Sequence, residues 1–148
     1  MTVKRATLCL LNPERAQRRL GRLSSEGQLA TAARRYSAVM VRQGFFDHVG
    51  PGGSTLVSRV RGTRYLTGSV RRWWLGENLA WGAGEMATPR AIVRGWMNSD
   101  GHRRNVLDRR RWRTRDELHE AIVFWIEHTY NRRRRQRALG KLTPVEYE

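Results

Sequence analysis

Leu29, Ala32, Ala33, Tyr36, Val39 and Met40 recur at the spacing that places them on one side of a helix, and this stripe constrains the fold more than any other feature of the sequence. It predicts a helix over residues 25–43, with Arg34, Arg35 and Arg42 on the opposite side and Gly44 in the position of a C-cap. The apolar side has to be covered, and three further helix starts supply candidates. Asn12-Pro13-Glu14 has a capping residue, a proline suited to the first helical position and an acid for the positive end of the dipole. A helix running through from Lys4 would instead be kinked at Pro13. Ser54 precedes a short helix with Leu56, Val57 and Val60, and Thr88-Pro89 opens one with Ile92, Val93, Trp96 and Met97 inward, ending near Asp100-Gly101 ahead of His102. Trp73 to Trp81 is apolar, aromatic and bounded by turn residues, which predicts a strand entering a loop. The fold class that follows is α+β, predominantly helical.

Charge narrows the function less than its size suggests. The chain carries 29 basic and 13 acidic residues, for a net charge of +16. Only Lys4 and Lys141 are lysine, and the arginines are spread along the whole length, so the surplus does not by itself mark a nucleic-acid face. Residues 109–148 differ, because there the charge gathers into Arg132, Arg133, Arg134, Arg135 and Arg137. No run of about 18 apolar residues exists, which argues against a membrane span. Lys4-Arg5 ahead of Ala6 to Leu11 resembles an export signal only superficially, since the apolar run is too short and no small-residue cleavage site follows. The segment reads as a helix turn, and the chain as given is expected in the cytoplasm. Cys9 is the one cysteine, which rules out an intrachain disulfide, and it is expected to be a small buried apolar residue.

Three segments in order resemble the CAP superfamily of cysteine-rich secretory, antigen 5 and pathogenesis-related proteins, in its bacterial form. They are Phe46-Asp47-His48, Gly76-Glu77-Asn78-Leu79-Ala80, and Trp96-Met97-Asn98-Ser99-Asp100-Gly101-His102-Arg103-Arg104-Asn105-Val106-Leu107. The lead-in Leu11 to Arg15 and the alanine-rich helix also fit, so the likeness covers residues 1–107. It implies an α-β-α sandwich around a cleft, with His48, Glu77 and His102 lining that cleft. Two imidazoles and a carboxylate suit zinc or another divalent metal with an open fourth position, a hydrogen-bonded cluster that fixes loops, or acid–base work. A second acid found in many relatives is replaced here by Ser99, which weakens the metal and catalytic readings. The resemblance implies an exported ancestor and a lipid or protein ligand, and favours a binding module over an enzyme.

Downstream the likeness changes. After Leu107 the closing strands of a CAP domain are not recognisable, and the domain is expected to be truncated, its strand short of partners. Trp112-Arg113-Thr114-Arg115-Asp116-Glu117-Leu118, Trp125-Ile126-Glu127, Tyr130-Asn131-Arg132 and Thr143-Pro144-Val145-Glu146-Tyr147-Glu148 resemble the C-terminal end of the integrase core in insertion-sequence transposases. The expected organisation is therefore a CAP-like domain over 1–107 and a transposase-derived segment over 108–148, with a basic amphipathic helix over 114–130. That resemblance brings no triad of metal-binding acids, so strand transfer is not expected. What it leaves is non-specific phosphate contact through Arg132 to Arg137, or no function beyond a gene fusion.

Overall fold

The structure, a computed structural model, describes residues 2–67 and 73–109 together with the backbone of Ile122 and Val123. Five helices dominate the described residues: α1 (Val3–Ala16), α2 (Gly27–Gln43), α3 (Leu56–Arg61), α4 (Pro89–Asn98) and α5 (Asp100–Val106). The strands β1 (Gly76–Glu77) and β2 (Ile122–Val123) complete them. The α+β, predominantly helical class expected from periodicity is the observed one.

Helix α2 follows its stripe. Ala32, Ala33, Tyr36 and Met40 are buried, and Gly44 closes the helix at φ 69°, a left-handed position that glycine takes without a Cβ penalty. The start lies at Gly27, where the Glu26 carboxylate accepts the Leu29 amide. Helix α4 begins as expected, with the Thr88 hydroxyl accepting the Ala91 amide and Pro89 in the first turn.

Four local expectations change. Helix α1 runs through Pro13, and Asn12 does not cap it. The Asn12 side chain is buried, donates to the Leu23 carbonyl at 3.1 Å and accepts the Leu23 amide at 2.8 Å, so it pins the following loop. Thr55 rather than Ser54 caps α3, in a reciprocal box with Ser58. His102 lies inside α5, because a new helix starts two residues after α4 ends. Cys9 is exposed, since the inner side of α1 is taken by Thr7, Leu11, Asn12 and Arg15.

Three apolar clusters hold the helices, the smallest being Ala33 of α2 with Leu29, Leu56 and Leu75. Leu11 of α1, Ile92, Val93 and Trp96 of α4, Val106 of α5 and Ala87 pack into one cluster, with Leu10, Leu23, Ala80, Met97 and Leu107 against it. Tyr36, Met40 and Leu79 form another, joined by Phe45. Arg15 is buried between α1 and the end of α5, where it donates to the carbonyls of Gly21 (2.7 Å), Val106 (2.7 Å) and Asp108 (3.2 Å). A cation at a helix C-terminus meets carbonyls that have no intrahelical partner, so the charge is answered where it is buried.

Within the Trp73 to Trp81 stretch, read as a strand entering a loop, the strand β1 is two residues long. It pairs in parallel with β2, Gly76 opposite Ile122 and Glu77 opposite Val123. At those two residues the expected lack of partners, and the expected helix over 114–130, are corrected: an open strand edge accepts a β-branched segment. The rest of 110–148, including Arg132 to Arg137, lies outside the described residues. Side chains take two carbonyls of the segment around β1. Trp96 Nε1 donates to the Leu79 carbonyl at 3.0 Å, and Asn105 Nδ2 to the Glu77 carbonyl at 3.2 Å.

Candidate functional site

His48, Glu77 and His102 come together at one cleft of about 720 Å³, bounded by the α2–α3 loop, β1 and α5. Trp74, Ser99, Arg104 and Asn105 share its walls. Each of the three expected residues reaches the cleft for a local reason. The Tyr36 hydroxyl donates to the Asp47 carbonyl at 2.6 Å, and the Asp47 carboxylate accepts the Val49 amide at 3.0 Å, so His48 sits on a turn fixed at both sides. Glu77 is carried by β1. His102 is presented by α5, its carbonyl held by Asn78 Nδ2 at 3.1 Å.

Arg59 organises this cleft, and no motif announced it. Its Nη2 donates to both oxygens of Glu77, at 2.8 and 3.0 Å, and its Nη1 and Nη2 both reach the His48 carbonyl at 3.1 Å. Nη1 also donates to the Ser54 carbonyl at 2.8 Å. The guanidinium lies over the Tyr36 ring, 3.4 Å from its centroid. Both side chains of the ion pair are buried, 9 % exposed for Arg59 and 4 % for Glu77. A buried carboxylate needs such a partner, because its desolvation is otherwise costly. As one of many arginines in the sequence, Arg59 gave no compositional signal.

His48 and Glu77 are in direct contact, Nδ1 to Oε2 at 2.8 Å, with the His48 ring more than half exposed. His102 Nδ1 instead faces Ser99 Oγ at 2.8 Å, and its ring stacks on Trp96 at 6.4 Å between centroids. Burial pushes the His102 pKa below the ordinary histidine range, and the neighbouring His48 lowers it further. Asn78, fully buried, accepts from Asn105 at 2.9 Å and so joins the Gly-Glu-Asn segment to α5. Tyr36 has its pKa raised by burial, with Arg59 opposing that shift.

For a metal, the donor set is short. Both Glu77 oxygens are occupied by Arg59, and one also by His48, which leaves the two Nε2 atoms as the ring nitrogens not engaged in the contacts described. Among the described residues no group of three His, Cys, Asp or Glu side chains could hold a metal ion. The residues present do not fit a three-ligand centre.

This architecture, with its two histidines and paired glutamate on a helical frame, defines a class. The sequence profile of the cysteine-rich secretory protein family matches residues 8–111, and the chain belongs to that family. It is similar to the uncharacterized protein YkwD of Bacillus subtilis, 36% identical over 101 residues, which are 67% of this chain and 35% of that protein. It is also similar to the crystal structure of an extracellular protein containing an SCP domain from Bacillus anthracis, with a TM-score of 0.58 and 29% identity over 71% of this chain and 33% of that one. The chain thus spans about a third of the length of these relatives. Among the described residues no helix is long and apolar enough to cross a membrane.

Proposed function

We propose that the chain is a binding module on a CAP fold, with a His48–Glu77–His102 cleft that recognises a ligand and does not turn it over. The observation that carries this reading is the occupation of Glu77. A general acid or base must be able to gain and release a proton at substrate, and this carboxylate is buried against Arg59, whose Nη2 donates to both of its oxygens. Its role is to hold the His48 turn and α3 against β1. The polar walls of the cleft suit a hydrogen-bonding ligand better than the acyl chain of a lipid. A metal here would rest on two imidazoles and solvent, a weak set. Likeness to an extracellular SCP-domain protein supports an exported origin for residues 8–111.

The test is turnover. The purified chain is incubated with chromogenic esters, peptides and glycosides beside a His48→Ala/His102→Ala double variant. Equal background rates are expected, and a rate that the double variant abolishes would refute the reading.

Residues beyond the family match carry a separate proposal, a transposase-derived basic segment that contacts phosphate non-specifically. Its support is the charge block at Arg132 to Arg137, placed after residue 111. Duplex DNA binding with a steep salt dependence, lost when Arg132 to Arg135 become alanine, is the expected result. Salt-independent binding, or none at low salt, would end it.

A further inference from the structure

We infer that the cleft takes an anionic ligand through a phosphate group, held by the guanidiniums of Arg104 and Arg109. The inference rests on the reading of the chain as a binding module and adds the ligand class.

The charges around the cleft fall into two groups, those answered within the chain and those left over. Glu77 is answered, because it is buried and Arg59 Nη2 donates to both of its oxygens. Arg103 on α5 is answered as well, by the Asp100 carboxylate and the Met97 carbonyl. Arg104, the next residue of the same helix, lines the cleft instead. Arg109 lines it from beyond the end of α5. Among the described residues neither of these two arginines has a hydrogen bond or an ion pair. Asp108 shares the wall, so two guanidiniums stand there against one carboxylate and the surplus is positive.

Two unanswered cations in one concave wall produce a positive potential, which the low-dielectric surroundings concentrate. That potential opposes a divalent metal, in keeping with the short donor set, and attracts an anion. A guanidinium has N–H donors in a planar fork and no acceptor, so its ligand has to present acceptor oxygens. A carboxylate has two oxygens, which one fork can take up alone. A phosphate ester adds a third and carries roughly one and a half to two negative charges at neutral pH, enough to answer both arginines at once. His102 adapts to such a ligand rather than selecting it. The Ser99 hydroxyl, 2.8 Å from His102 Nδ1, can donate or accept, so the ring is free to take either tautomer and the anion favours the one with its proton on Nε2. At about 720 Å³ the cleft has room for a small molecule attached to the phosphate group.

The experiment uses the full chain labelled with ¹⁵N, in sodium chloride at about 0.15 M, where exposed charges are screened beyond about 8 Å. Inorganic phosphate, glycerol 3-phosphate, acetate and zinc chloride are titrated in parallel. Both phosphates should bind saturably and shift the His102 ring and the amides of α5. Affinity should fall about tenfold or more in Arg104→Gln/Arg109→Gln. It should fall less than about twofold in Arg90→Gln/Arg94→Gln, which removes the same charge from exposed positions of α4 outside the cleft. All four side chains are exposed, so both double variants keep the fold. Equal losses in the two double variants, acetate bound as tightly as phosphate, tighter binding of zinc, or no saturable phosphate binding would overturn the inference. Vesicles of phosphatidylcholine with phosphatidic acid distinguish the source of the phosphate group: displacement of bound glycerol 3-phosphate by them supports a lipid headgroup at the arginine pair, and retention supports a soluble ester there. Release of inorganic phosphate from glycerol 3-phosphate would refute the binding-module reading and leave the anion site standing.

Discussion

The cluster around Leu11 and Trp96 and the knot around Arg59 and Glu77 both lie buried, and they are held by opposite means. The first is apolar contact between α1, α4 and α5, where shape and volume decide and the energy spreads over many atoms. The second is a charged pair with a cation–π contact and carbonyl bonds, where each group has a direction and a named partner. A cluster of the first kind tolerates exchange of similar side chains. One of the second kind fails when a single member is removed, because the remaining charge stays buried without an answer. The cleft is attached to the second, so the site depends on the less forgiving region.

Four substitutions and one titration sharpen that contrast, from the largest effect downward. Arg59→Ala should cost about 3–5 kcal/mol, since it strands Glu77. Urea unfolding measures it, and a loss under about 1 kcal/mol would mean the knot is not a distinct structural unit. Leu11→Ala, at a fully buried position, should cost about 3 kcal/mol. Its resonance changes should stay near α4 and α5 and leave the His48 ring unmoved. Spread of those shifts to His48 would show the two regions coupled. Asn78→Ala should cost about 1–3 kcal/mol, because the Asn105 amide and the His102 carbonyl both lose a partner.

Acidification should act through His102. Its pKa is depressed in the folded protein, by burial first and by His48 second. The unfolded chain therefore binds the proton more readily, and folding gains stability that is fully present above about pH 6.5 and lost as pH falls toward the depressed value. The urea midpoint should fall further between pH 7.5 and 5.5 in the wild type than in His102→Gln, and equal falls in the two proteins would contradict the assignment. The smallest effect is expected at His48→Ala, below about 0.5 kcal/mol, because this ring is largely exposed and Arg59 still answers Glu77. A larger loss would place His48 in the structural frame rather than at the ligand face.

Much of this was legible in the order of residues. The stripe on α2, its glycine cap, the Thr88-Pro89 start and the three motif segments marked the helical frame and the trio at the cleft. Partners were not legible. Asn12 looked like a cap and became a loop pin, because the competing choice, Leu23, is eleven residues away and meets it only in the folded chain. The stretch from Trp73 to Trp81 read as a strand entering a loop, and its composition did not show how short the strand would be. Trp96 and Asn105 take carbonyls that a ladder would have used.

Periodicity and caps, which act over a few neighbours, were enough to mark helices α2 and α4, and the resemblance in motif order pointed to His48, Glu77 and His102. What each of those side chains offers was decided by the fold. Arg59 meets Glu77 across 18 residues and Arg15 meets Val106 across 91, and such pairings depend on where helices cross. The tautomer of an imidazole and the availability of a carboxylate are properties of the partner that packing delivers, and only the assembled structure delivers it.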